Sequence, residues 1–150
     1  MISASTHRSD IALLASKFIN HTQKNIFLTG KAGTGKTTFL RHIVKHTHKK
    51  SIIVAPTGIA AINAGGVTIH SLFQLPFGAY IPVSQINTSS NFSLKINGPA
   101  STIKNLQMHE SKRKILRELE LLIIDEVSML RADLLDAIDA VLRHIRRKSA

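Results

Sequence analysis

Residues 30–37 read GKAGTGKT, and no other stretch limits the fold of this chain as tightly. Glycines, a lysine and a threonine fill the spacing G-x-x-x-x-G-K-[ST]. Before them lies NIFLT at 25–29, short, apolar and bounded by polar residues, which predicts a buried strand. After them Phe39, Leu40, Ile43 and Val44 recur at helical spacing, which predicts a helix over 37–46. Strand, glycine-rich loop and helix is the context in which this spacing makes a phosphate cradle. Gly30, Gly33 and Gly35 permit backbone angles and close approaches that a Cβ would block. The loop, taken as 30–38, presents Gly30, Ala32, Gly33, Thr34, Gly35, Lys36, Thr37 and Thr38 to the phosphates at the positive end of a helix dipole. Lys36 supplies a point charge for the β- and γ-phosphates, and the Thr37 hydroxyl a ligand for Mg²⁺. The expected cofactors are ATP and Mg²⁺.

Some ninety residues later, LLIIDE at 121–126 runs four apolar residues into two carboxylates. This pattern predicts the end of a central parallel strand, and ligands of open α/β sheets sit beyond such ends. Asp125 then holds the Mg²⁺ through its water shell. Glu126 orients and deprotonates an attacking water, a role that favours hydrolysis over transfer to a substrate hydroxyl. Lys36, Asp125 and Glu126 are the expected catalytic residues, with Thr37 and Asp125 at the metal. Taken alone, the acidic pair also suits a helix start, with Ser128 as its cap.

A chain of 150 residues allows one domain. The formal net charge of +11, from 20 basic and 9 acidic residues, points to a polyanionic partner such as nucleic acid, or to a merely basic surface. The absence of cysteine excludes a disulfide framework and a cysteine zinc site. His42, His46 and His48 cluster near a helix C-terminus and read as structural. No stretch is apolar enough to span a membrane. The polar, basic start resembles a transit peptide only in composition. Ser9 as N-cap, with Ile11, Leu14, Ala15, Phe18 and Ile19 on one face, predicts a core-facing helix over 9–20, and the default location is the cytoplasm.

Further along, residues 51–55 predict a second strand. A loop and short helix follow, stopped by Gly65 and Gly66, then a short extended piece over 67–70. Residues from about 76 to 106, rich in Ser, Asn, Pro and Gly, predict a surface insertion, partly mobile. A helix over 110–118 places Lys112, Arg113 and Lys114 outside and Ile115 and Leu119 inside. The last helix, over about 130–146, carries Leu134, Ile138, Val141, Leu142 and Ile145 on one face and an Asp139–Arg143 pair at i, i+4. The segment after the second strand offers N–H groups and hydroxyls suited to a nucleic-acid backbone. Pro56, Thr57, Gly58, His70 and Ser71 are candidates there, with Phe73 or Phe77 stacking on a base. Equally, the small residues allow close helix–sheet packing and the aromatics fill core.

GKAGTGKTTFL, APTGIAAINAGGVTIHSLFQLPFG and the acidic-pair motif LLIIDEVSMLRADLLDAID (its core at 121–129) resemble the first motifs of the petite-integration-frequency (Pif-one) helicases. These are superfamily-one DNA helicases related to the RecD type. The resemblance covers roughly residues 20–82 and 108–146. It implies an α/β P-loop NTPase fold, a RecA-like parallel sheet flanked by helices, here incomplete. It implies an ATP-dependent DNA helicase that translocates 5′ to 3′ on single-stranded DNA and unwinds duplex junctions, in processes such as DNA repair, recombination and telomere maintenance. Pro56, Thr57, Gly58, His70, Ser71 and Phe73 fall on the family's DNA-contacting motifs. Gln23 is the nearest match to its adenine-sensing glutamine.

The family continues past the DEVSM motif with a Gly-Asp…Gln-Leu-Pro motif and a second RecA-like domain that supplies arginines. Residues 1–150 are therefore expected to be a partial RecA-like ATPase domain, the N-terminal part of a motor, inactive alone. The family's next strand would lie between the phosphate-loop strand and the acidic-pair strand. Without it, backbone groups lack partners and apolar faces are exposed, so the isolated chain is expected to be marginal. Alternatives are an ATP- and DNA-binding module without turnover, or an oligomeric DNA-associated ATPase.

Overall fold

The computed structural model describes residues 4–81, 96–104 and 106–147. Within the helix α1 (Ala4–His21) side chains are described from residue 11 on. The central layer is a parallel sheet of β1 (Ser51–Ala55), β2 (Val67–Thr68) and β5 (Leu121–Ile124), in the order β2-β1-β5. The registers are Val54↔Val67 and Ala55↔Thr68 on one side and Ser51↔Leu121 to Val54↔Ile124 on the other. The segments that follow β1, β2 and β5 therefore leave the sheet along one edge.

The alternation of side chains across a strand divides the apolar residues between two faces. Ile53 and Ile123 turn to one side and pack with Ile43 of α2 (Lys36–His46) and Ala64 of α3 (Gly58–Ala64). Val54, with Ile52, Leu122 and Ile124, turns to the other. There it meets α4 (Ile69–Phe73), α6 (Glu110–Glu118) and α7 (Ala132–Arg146) through Phe73, Leu116, Ile138, Val141 and Ile145. Beyond α4, β3 (Ala79–Tyr80) and β4 (Ile96–Asn97) form a separate parallel pair, followed by α5 (Pro99–Lys104). The Tyr80 N–H donates to Asp133 Oδ2 at 3.0 Å, which ties β3 to the first turn of α7.

The expected second strand and the helices over 37–46 and 110–118 form as read, with α2 beginning one residue earlier. Gly65 caps α3 in the left-handed conformation. Asp139 pairs with Arg143 at 2.6 Å. Among the described residues no helix is long and apolar enough to cross a membrane, and no three or more His, Cys, Asp or Glu side chains cluster as metal ligands.

Other expectations are corrected. Residues 25–29 form no strand, and Phe27 is 76% exposed. A strand exists only through a ladder partner, and no described strand lies between this segment and β5. For the same reason β5 is an edge strand rather than a central one. The first helix spans Ala4–His21, with Ser9 inside it rather than capping it. Ile11, Leu14 and Phe18 stay exposed, because only residues 24–28 flank that face across an open groove. Ile19 alone of the five joins the α2 cluster.

The extended piece after Gly66 ends at Thr68, whose hydroxyl accepts the Ser71 N–H and starts α4. In α6 the buried residue is Leu116 and Ile115 is exposed. Lys112 and Arg113 are half-buried, their heads on the Ser71 and Met108 carbonyls. Ser128 caps nothing: Val127–Met129 is a 3₁₀ turn, and α7 starts two residues later than expected, with Arg131 at its N-cap. Of the expected surface insertion, residues 82–95 and 105 lie outside the described residues. Its described parts bury Tyr80, Thr102 and Leu106, because α5 and β3 pack on α7.

Candidate nucleotide site

Gly35 sits at φ 87° and Gly33 at φ 71°, a region that L side chains rarely adopt. These turns bring the loop into the N-terminus of α2, where the first N–H groups have no intrahelical partner. Gly35 provides no capping side chain, so those donors remain directed out of the helix end. Thr34 closes the loop through its hydroxyl and N–H to the Lys31 carbonyl, at 2.9 and 3.4 Å. The Lys36 ammonium arches back over the loop to the carbonyls of Gly30 and Lys31, at 2.9 and 3.0 Å. Gly30, Ala32, Gly33, Gly35 and Thr38 are exposed, so the loop opens directly to solvent.

The acidic pair arrives from the sheet. Asp125 N–H donates to Val54 O at 2.9 Å, extending the β1–β5 ladder by one residue. That fixes the carboxylate beside the loop. Thr37 Oγ1 donates to Asp125 Oδ2 at 3.2 Å, across 88 positions of sequence. Asp125 Oδ1 accepts the Glu126 N–H at 3.0 Å. Glu126 is held at φ 52°, a left-handed conformation costing about 1–2 kcal/mol for a residue with a side chain. Such strain concentrates at functional sites. Glu126 is exposed and forms no ion pair among the described residues. A hydroxyl and a carboxylate this close are hard oxygen donors of the kind Mg²⁺ takes, so the residues present fit that ion.

The second set of candidates lies along the same sheet edge. The Ala55↔Thr68 register sets Pro56–Thr57 beside the start of α4. The Thr57 hydroxyl is occupied as a cap, accepting the Ala60 N–H at 3.3 Å. Gly58 and Ser71 are exposed, and Pro56 and His70 are half-buried. Phe73, expected among the nucleic-acid contacts, is fully buried in the α7 core and cannot stack on a ligand. Of the two aromatics considered, Phe77 is the exposed one, at 79%, and its ring stacks on His70 with centroids 5.1 Å apart.

The sequence reading missed the Arg131–Asp133–Tyr80 tie, where Arg131 meets Asp133 at 2.6 Å. An acid in a first helical turn was the available signal. The Tyr80 N–H, helped by Arg131, holds the Asp133 carboxyl below its ordinary range. His42 and His46 stack with centroids 4.0 Å apart, and His46 Nδ1 bonds the His42 carbonyl.

The PIF1-like helicase family matches residues 5–150. The ATP-dependent DNA helicase PIF1 of Saccharomyces cerevisiae (strain YJM789) is 37% identical over 131 residues, covering 82% of this chain and 13% of that protein. The crystal structure of Bacteroides Pif1 bound to ssDNA superposes with a TM-score of 0.69 at 41% identity, over 97% of this chain and 28% of that one. Bacteroides sp Pif1 in complex with ADP-AlF4 gives 0.68 at 41% identity, over 97% of this chain and 29% of that one. This chain thus spans 13% of the first of these proteins and 28% and 29% of the two solved chains. The parallel sheet flanked by helices is a RecA-like P-loop fold.

Proposed function

The chain belongs to the PIF1-like helicase family, and from that premise we propose that it forms part of an ATP-dependent DNA helicase. In this proposal residues 1–150 are part of a RecA-like motor domain that contributes the ATP-hydrolysing site. The motor runs 5′ to 3′ on single-stranded DNA and opens duplex junctions. A second RecA-like domain of the longer protein supplies the remaining transition-state charge.

Lys36 and the loop N–H groups hold the phosphates and neutralise charge that builds as the terminal bond breaks. Thr37 and Asp125 are the residues that hold Mg²⁺, which when bound shields the charge on the phosphates. Glu126 takes the proton of the attacking water. Pro56, Thr57, Gly58, His70 and Ser71 meet the DNA strand beside the nucleotide site, so the two partners share one sheet edge.

The observation that carries the nucleotide reading is the 3.2 Å contact between Thr37 and Asp125. Residues far apart in sequence, both suited to one Mg²⁺, meet beside Lys36. The test is titration of the chain with a fluorescent ATP analogue and Mg²⁺. Saturable binding is expected. Lys36→Ala should weaken it about tenfold or more, since a charge-assisted hydrogen bond contributes about 1.5–3 kcal/mol. Glu126→Gln should keep binding and remove any turnover. Unaltered binding by Lys36→Ala would contradict the assignment.

A further inference from the structure

The helix that precedes β5 brings a cation to the sheet edge where β1, β2 and β5 end. α6 has nine residues and β5 has four, so each is about 13 Å long. The chain runs down α6 and back up β5, which sets the first turn of α6 level with that edge. Two contacts hold this course. Glu118, the last residue of α6, meets Lys50 just ahead of β1 at 2.7 Å. Lys112, in the first turn, donates from Nζ to the Ser71 carbonyl of α4 at 2.9 Å.

The cations of α6 are used differently. Arg117 pairs with Glu110 at 2.7 Å, and Arg113 Nε donates to the Met108 carbonyl at 3.0 Å. Lys112 meets no carboxylate among the described residues. Its ammonium has three donors, and the Ser71 carbonyl takes one. A neutral acceptor positions the charge without cancelling it.

Beside this charge lies an exposed ring. His70, next to Ser71 in α4, stacks on Phe77 with centroids 5.1 Å apart, and Phe77 is 79% exposed. A placed cation next to an open aromatic face suits a single strand, whose phosphates need a counter-charge and whose bases need a stacking surface. On the reading of a single-stranded DNA partner, on which this inference rests, we propose that Lys112 holds a backbone phosphate of the strand whose base stacks on Phe77. The DNA surface then extends from the segments after β1 and β2 onto α6. Every nucleotide carries the same phosphate, so the contact fixes the path of the strand and reads no sequence.

The experiment measures binding of labelled oligo-dT and oligo-dA to this chain by fluorescence anisotropy over a series of salt concentrations. On a single strand each neutralised phosphate adds about 0.7 to the slope of log affinity against log salt. Lys112→Met keeps the stem and removes the charge. It should reduce that slope by about 0.7 and weaken both strands alike, about threefold at low salt. Lys112→Arg should restore the slope. Lys45→Met removes an exposed charge from the last turn of α2, at the opposite end of the sheet, and should leave the slope as it is. An unchanged slope in Lys112→Met overturns the proposal, and so does an equal drop in Lys45→Met. Weaker binding at every salt concentration with the wild-type slope would mark Lys112 as a support for α4 alone, and also overturns it. Failure of the wild type to bind either strand overturns the DNA reading itself, and the phosphate contact with it.

Discussion

Gly65 and Gly66 are adjacent, yet the structure needs each for a different reason, and substituting them separates the two. At Gly66 an added Cβ would lie 2.2 Å from Ile53 O, 2.7 Å from its carbonyl carbon and 2.9 Å from its Cβ. The obstacle is backbone in the middle of β1, where Ile53 pairs with Ile123, so no side-chain rotation relieves it. Overpacking typically costs about 1–3 kcal/mol, and a clash with ladder-held backbone belongs at about 3 kcal/mol or above. With about 2–4 °C per kcal/mol for a chain of this size, Gly66→Ala should lower the melting temperature by roughly 6–12 °C.

Gly65 has open space around it but sits at φ 74°, so Gly65→Ala meets only the left-handed penalty of about 1–2 kcal/mol. The Gly66 variant should also bind nucleotide more weakly. Displacing Ile53 moves Val54 O, which accepts the Asp125 N–H. The assay is a thermal melt of both variants followed by titration with a fluorescent ATP analogue. If Gly66→Ala melts within about 2 °C of wild type, or is milder than Gly65→Ala, the close-approach argument is wrong.

Phe73→Ala, which removes a fully buried ring, should cost about 3–5 kcal/mol. Phe77→Ala should leave the melt unchanged and weaken single-stranded DNA binding, since a base–aromatic stack contributes about 1–3 kcal/mol; the reverse pattern would interchange their roles. The Asp133 carboxyl is held below its ordinary 3.8 by the Tyr80 N–H and then by Arg131. A depressed carboxylate contributes stability that is complete above the unfolded value and lost as pH falls through the folded one. Amide-exchange protection at Tyr80 should therefore drop as pH falls below about 4. In Asp133→Asn it should be low throughout and lack that step.

Chemistry written in contiguous residues was legible from the chain alone. GKAGTGKT and LLIIDE carry their own spacing, and Thr37 and Asp125 meet as that reading requires. The boundaries of β1 and α6 followed from local pattern. What failed depends on partners that sequence does not display. Residues 25–29 have the composition of a strand, but a ladder needs a neighbour, and none of the described strands provides one. Ile115 and Leu116 are adjacent apolar residues, and only the seat of α6 against α7 chooses Leu116 for the core. Phe73 and Phe77 are alike as letters; the turn at Gln74, φ 51°, separates one buried ring from one exposed ring. Thr102 gave no signal at all, since its burial follows from α5 lying against α7.

The central claim is that Thr37 and Asp125 act on one shared ion within a nucleotide site. A double-mutant cycle with Thr37→Val and Asp125→Asn, read as Mg²⁺-dependent affinity for an ATP analogue, tests it directly. Each change alone should weaken that affinity about tenfold. The double variant should lose little more than either single one, giving a coupling of about 1 kcal/mol or more. Strictly additive losses, or none, with melting temperatures unchanged, would show that the two side chains do not share an ion.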